Sequence, residues 1–201
     1  MTRSFATALV VCAFAGALVS RAQDTDPAYV PLTLGEKYQF SLNKVIGTGA
    51  LTTVALKASM DQMLDRPHAW GPGIDSYAVR TASYFGRSFV RQNLAFGVRA
   101  LDGEDPRYFR SGRGTKWERS KYAIAHTFMV RNDSGGSMPA YSLMVSSFAT
   151  PFLANQWRPD RCMAGREVGA GFGGLGIAAG SSILQEFLPD IRQKLRHHWI
   201  H

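Results

Sequence analysis

A chain of 201 residues with a formal charge of +8 and 45% hydrophobic residues can hold one ordinary domain, or a leader and one domain, around a real core. Its excess of basic residues favours an anionic neighbour. Its two cysteines, Cys12 and Cys162, exclude a disulfide-stapled scaffold, because Cys12 lies in a leader-like segment and Cys162 would be left alone.

The N-terminus reads as an export signal. Arg3 supplies the positive start, FATALVVCAFAGALV over 5–19 is an uncharged apolar run, and Ser20-Arg21-Ala22 puts small residues where a signal peptidase inspects them. The run is short of the roughly 20 residues that cross a bilayer, so residues 1–22 are expected to be cleaved rather than to anchor the chain. Loss of Arg3 and Arg21 lowers the formal charge of +8 by two. For an exported cationic protein the expected polyanion is a phospholipid or lipopolysaccharide surface, not nucleic acid.

Residues 23–32 form a polar lead-in with two prolines, and 33–201 a single domain. Thr33 and Glu36 have the spacing of a capping box, and Leu34, Tyr38, Leu42 and Val45 then recur at helical intervals. The helical pattern runs on past a break near Gly47 and Gly49 and stops at RPHAWGPG, residues 66–73. Tyr77, Tyr84, Phe85, Phe89, Leu94, Val98 and Leu101 predict a helix across 75–101, ended by DGEDP at 102–106. A second capping box, Thr115 with Glu118, opens a helix carrying Trp117, Ile124, Phe128 and Met129. NDSGGSMP at 132–139 reads as a loop. Pro139 starts a segment with Tyr141, Val145, Phe148 and Phe152 on one face, bent or ended near Pro151. A last long helix should stop at Pro189 and leave DIRQKLRHHWIH as a basic amphipathic tail. The fold class that results is all-α, a compact multi-helix bundle.

VGAGFGGLGIAAG, residues 168–180, admits three readings: phosphate loop, flexible turn or packed helix. A dinucleotide loop needs a buried strand before it and another after the helix, and neither is present in the pattern. On a helix, Gly165, Gly169 and Gly173 lie four apart, and Gly176 and Gly180 extend the strip, which lets another helix approach backbone to backbone. Ala78, Ala82 and Gly86, and Ser142, Ser146 and Thr150, repeat the spacing. Each glycine costs a helix about 0.8–1 kcal/mol relative to alanine, so tertiary contact or a membrane must offset it. The uncharged windows 134–157 and 168–185 are long enough to approach a bilayer span but are diluted by serine, threonine and glycine. Peripheral attachment or oligomeric insertion therefore fits better than independent spanning, and the strips are compatible with a homo-oligomer.

DPRYFRSGRGTKWERSK, residues 105–121, is the most distinctive basic stretch. Arg107, Arg110, Arg113, Lys116 and Arg119 interleave with Tyr108, Phe109 and Trp117, a composition suited to anionic headgroups at an interface. The plain alternative is a solvated loop whose aromatic residues tuck into the core. DSGG at 133–136 shares four residues with the nucleophile signature of chymotrypsin-like proteases, which need an all-β scaffold and an upstream histidine. No catalytic group is assigned. His126 reads as a core residue, and His197, His198 and His201 lack the carboxylate or cysteine that a metal site wants, so neither metal nor cofactor is expected.

Through DPRYFR, Gly114, Trp117, Arg119, Tyr122-Ala123, Arg131 and Asp133, and through EFLPDIRQKLR at 186–196, the chain resembles a family of uncharacterised exported bacterial proteins. The resemblance implies an intact exported domain and transfers no activity. The expectation is an exported protein of the cell envelope, in the periplasm or against a membrane, acting as a structural or binding module. The alternative is a small soluble enzyme on the same bundle, which would bring His126, Asp133 and a further polar group into one cleft.

Overall fold

The computed structural model describes residues 29–159 and 163–198, with side chains as far as Lys194 in the last helix. The expected leader at 1–22, Cys162 and His201 lie outside the described residues. The fold is all-α with one small hairpin: α1 Leu34–Ile46, α2 Thr48–Met63, α3 Ile74–Asp102, α4 Lys116–Phe128, β1 Met129–Arg131, β2 Ser137–Pro139, α5 Tyr141–Ala154 and α6 Ala164–His198. The chain groups into two compact units, one of residues 32–106 and 141–176, the other of the N-terminal residues to Pro31, 107–140 and 177 onward. Helix α6 gives its residues up to Gly176 to the first and those from Ile177 to the second.

In the first unit α3 packs against α1, α2 and α5. The predicted capping box starts α1: Thr33 N–H donates to Glu36 Oε2 at 2.8 Å, and Glu36 N–H to Thr33 Oγ1 at 3.3 Å. The break falls at Gly47, whose extended backbone separates α1 from α2. The stop at 66–73 holds a single 3-10 turn, His68–Trp70, and is closed from α3 by Arg80, which is wholly buried. Its Nε donates to the Arg66 carbonyl at 2.8 Å, and its Nη1 to Gln62 Oε1 at 2.5 Å and the Gly71 carbonyl at 3.0 Å. A loop rich in proline and glycine has few N–H groups and many free carbonyls, and one guanidinium with five donors answers them. Nearby, Tyr84 donates to Asp61 Oδ2 at 2.6 Å. Burial and the Asp61 carboxylate push that phenol up to about 12.

Helix α3 ends at Gly103, whose left-handed φ of 74° turns its N–H back to the Arg99 carbonyl. The chain then delivers Glu104 to a helix far ahead in sequence. Ala140, just before α5, has no side-chain acceptor, so the first N–H groups of α5 need a remote one. Glu104 supplies it, accepting from Ser142 N–H at 2.9 Å and Ser142 Oγ at 2.6 Å. The buried face of α5 is a line of hydroxyls, Ser142, Ser146, Ser147 and Thr150, and Arg91 of α3 donates to Ser147 Oγ. Helix α5 continues through Pro151 to Ala154.

Residues 168–180 are helical, within α6, but the glycines that approach a neighbour differ from the predicted strip. A Cβ on Gly171 would lie 2.3 Å from Phe148 Cδ1, and one on Gly174 3.4 Å from Ser147 Oγ. At Gly165, Gly169, Gly173, Gly176 and Gly180 a Cβ would meet nothing within 4 Å among the described residues. Spacing identifies a strip but not the rotation of the helix, and here α6 is turned so that the aromatic ring of Phe148 sits over Gly171.

In the second unit the Thr115–Glu118 capping box starts α4 as predicted. Two expectations are corrected. The loop expected at 132–139 is shorter, since its last three residues are β2, and Met129, expected on the helix, is in β1; the two strands pair antiparallel, Met129 with Pro139, Val130 with Met138 and Arg131 with Ser137. Three residues a side is too short for an alternation signal, and Pro139 tolerates its place at a ladder end. Helix α6 does not stop at Pro189 but runs to His198. Proline removes one helical bond and pushes against the preceding turn; Glu186 and Asp190, on either side of it and four residues apart, are both tied to Arg110 and Arg119, which holds the helical spacing across the defect.

The glycine geometry yields a test by thermal unfolding. Gly171→Ala should destabilise by about 1–3 kcal/mol through overpacking. Gly169→Ala and Gly173→Ala should leave stability unchanged or raise it by roughly 0.5–1 kcal/mol, because an exposed helical glycine is replaced by a better helix former.

Candidate functional site

The second unit contains one dense constellation of charge. Glu186 is fully buried, and its carboxylate accepts from Arg119 Nε at 2.8 Å, Tyr108 Oη at 3.0 Å, Gly112 N–H at 3.0 Å and Ser111 N–H at 3.1 Å. Gly112 has a φ of 63°; that left-handed step aims two successive amides at one anion, a small anion nest. The Glu186 carbonyl accepts from Arg110 Nε at 2.9 Å and Arg119 Nη2 at 2.8 Å. One turn on, Asp190 receives Arg119 Nη1 at 2.6 Å and Arg110 Nη2 at 2.5 Å. Burial alone would push the Glu186 carboxyl up, yet Arg119, the Gly112 amide, Tyr108 and the Ser111 amide outweigh it and hold the group below the ordinary carboxylate range. The Arg119 bond, with that of Arg110, does the same for Asp190. Burial and the Glu186 carboxylate in turn push the Tyr108 phenol up.

These contacts join the two segments on which the sequence resemblance rests, DPRYFR with Arg119 on one side and EFLPDIR on the other, 67–80 residues apart. They also account for much of the basic stretch. Arg110, Arg119 and Tyr108 serve Glu186 and Asp190. Arg107 donates to the Val30 carbonyl at 2.8 Å and lies over the Tyr29 and Phe109 rings, while Arg131 covers Phe109 at 4.5 Å. The guanidiniums here are cross-links between ring faces and carbonyls. Arg113, Lys116 and Trp117 are exposed, and Trp117 is 68% accessible.

Chemically, a carboxylate with four committed donors and no exposed face is a fastening, not a base. His126 is enclosed by rings, 5.1 Å from Tyr122, 5.7 Å from Tyr108 and 6.3 Å from Phe109 between centroids; burial, with the Arg131 charge, holds its imidazole below the ordinary histidine value. Asp133 lies exposed in the hairpin turn. Ser134 of that turn donates to Asn132 Oδ1 at 2.7 Å, which also accepts from Gly136 N–H at 2.8 Å, so DSGG is an Asn-headed turn and the protease likeness is a coincidence of four residues. No cluster of metal-ligating side chains occurs among the described residues.

The sequence reading missed Arg80, Glu104 and Glu186, the groups that close the interior. Their signal was weak. Glu186 entered only as the first residue of EFLPDIRQKLR, and nothing local distinguishes a buried acid from a solvated one. No protein family, curated protein or solved structure was found to match the chain.

The fastening can be checked through the pH dependence of stability. Because the folded-state pKa of Glu186 is lowered, its contribution is complete above the ordinary glutamate value of about 4.3 and is lost as pH falls through the folded one. Glu104 has the opposite sign: burial raises its carboxyl despite Ser142 and Arg99, so its ionised form disfavours the fold and acidification relieves it. Thermal melts between about pH 7 and pH 3 should show Glu186→Gln weaker at neutral pH with a flatter acid limb, and Glu104→Gln with a steeper net loss on acidification. Removing the acid outright, Glu186→Ala, should cost about 3–5 kcal/mol at neutral pH by taking the acceptor from Arg119 Nε, Tyr108 and the Ser111 and Gly112 amides.

Proposed function

We propose that the chain is a cell-envelope protein that works against a membrane as a structural or binding module, its polar groups closing the interior and its apolar helix faces meeting lipid. The observation that carries this reading is the distribution of polarity. Arg80, Lys37, Asp105, Glu104 and Glu186 are buried, as are Ser142, Ser146, Ser147 and Thr150. Outside stand Leu101 at 90% exposure, Ile74 at 79%, and Leu56, Phe172, Ile177 and Leu184 at more than half.

In water the ordering is the reverse: Leu, Ile and Phe are among the residues most often buried, and Lys, Arg, Asp and Glu are almost never so. An apolar surroundings removes the force that draws apolar side chains inward, and polar groups then turn to one another inside. On α3 the apolar residues form a long shallow face. A hollow of about 380 Å³ lies between Trp70, Phe89 and Trp157, and one of about 470 Å³ between Phe89, Leu94, Leu101 and Val145. Exposed apolar surface of this extent marks a protein or membrane contact.

No helix among the described residues is long and apolar enough to cross a membrane. The proposal is therefore lateral attachment, or insertion in company with further copies, as the small-residue strips of α6 permit. Export, implied by residues 1–22, would bring the chain to the envelope. The enzymatic alternative gains nothing from His126, which is walled in by rings, or from Asp133 in its exposed turn.

Liposome flotation of the chain lacking residues 1–22 tests the reading. Expected is co-flotation that survives a high-salt wash and is reversed by detergent, with a higher melting temperature in detergent than in buffer. A chain that stays with the soluble fraction at every lipid composition, and melts identically in both, contradicts it.

A further inference from the structure

Given the membrane reading above, on which this inference rests, we propose that the outer face of α4, built by Lys116, Trp117, Lys121 and Ile124, is the surface that meets anionic lipid headgroups. The orientation of α4 follows from its inner face. Arg119, Ala123 and Thr127, at intervals of four, are buried. Arg119 is held by Glu186 and Asp190, and two turns on Thr127 Oγ1 donates to Ser182 Oγ at 2.8 Å. Two polar fastenings eight residues apart along one face of the helix leave it no freedom to rotate.

Trp117, Lys121 and Ile124, at i, i+4 and i+7, are thereby turned outward together. Trp117 is 68% exposed and Ile124 43%, and Lys121 Nζ stands 5.1 Å from the Trp117 ring. Glu118, the acid in this first turn, is folded back onto the Thr115 amide at 2.8 Å, where it serves the capping box. The guanidiniums of Arg110 and Arg119 are matched by Glu186 and Asp190. The Glu118 carboxylate stays exposed, so the charge that α4 presents outward is two lysines against one acid and remains positive.

An indole and an isoleucine flanked by ammonium groups suit a membrane boundary, where the ring sits at headgroup level and the lysine stems lie along it. Charge complementarity selects the lipid: anionic headgroups answer the lysines, and the apolar pair gives a folded nucleic acid or an acidic protein nothing to desolvate against. The expectation that Arg107, Arg110 and Arg119 make this contact gives way to a face that Arg119 holds in place.

The test is flotation of the chain with vesicles of phosphatidylcholine alone and of phosphatidylcholine with one-third phosphatidylglycerol, at low and high salt. The parent should prefer the anionic vesicles. Lys116→Gln with Lys121→Gln should weaken that binding roughly thirtyfold at low salt, from the usual contribution of a basic residue at such a surface, and leave binding to neutral vesicles and the melting temperature unchanged. Trp117→Ala should weaken binding to both. Parent binding that is equal on both vesicles, or a double variant that binds anionic vesicles like the parent, overturns the inference and leaves the membrane reading standing. Flotation with neither vesicle overturns both, and tighter binding to duplex DNA through the same lysines overturns the choice of lipid.

Discussion

Burying a charge is unfavourable unless a partner and hydrogen bonds accompany it, and that constraint organises the chain. Arg80, Glu104 and Glu186 are each withdrawn from water, and each gathers backbone groups that would otherwise lack partners. Arg80 collects the carbonyls of the 66–71 loop, Glu104 the first N–H groups of α5, and Glu186 the amides of Ser111 and Gly112 with two guanidiniums of the preceding segment. The helices are short of large buried apolar side chains; among the described residues the buried hydrophobic ones are valines and alanines. In α4 and α5 directional polar bonds, more than apolar burial, set which face points inward.

That arrangement leaves many large apolar side chains outside, and the two halves of the observation explain each other. Bonds between buried polar groups are stronger where the local dielectric is low, and an unpaired one is correspondingly costly. An interior closed this way tolerates an apolar exterior that water would not stabilise. The same logic assigns the basic segment two different jobs. Arg107, Arg110 and Arg119, with planar forks, make the bidentate and ring-face contacts that suit a guanidinium, and its lysines remain outward as point charges on flexible stems.

What could be read in the sequence was local. The capping boxes at Thr33–Glu36 and Thr115–Glu118 each place two reciprocal bonds within four residues, and both form. The break at Gly47 and the loop at 66–73 follow equally from their own residues. Pro189 misled because the force that carries α6 past it comes from Arg110 and Arg119, far away in sequence. The glycine strip misled because four-residue spacing defines a stripe and not the side that a neighbour occupies; Phe148 decides that, over Gly171. The basic stretch was legible as cationic and aromatic, but the engagement of Arg110 and Arg119 while the lysines face outward depends on two acids 67–80 residues further on.

The most direct measurement is labelling by a photoactivatable carbene carried on a lipid acyl chain, with the labelled residues located by peptide mass spectrometry. Label should concentrate on Ile74, Leu101, Phe172, Ile177 and Leu184, the exposed apolar positions, and spare the hydroxyl line Ser142, Ser146 and Thr150. Labelling no greater than that of a water-soluble carbene reagent at the same positions would contradict a membrane-facing exterior.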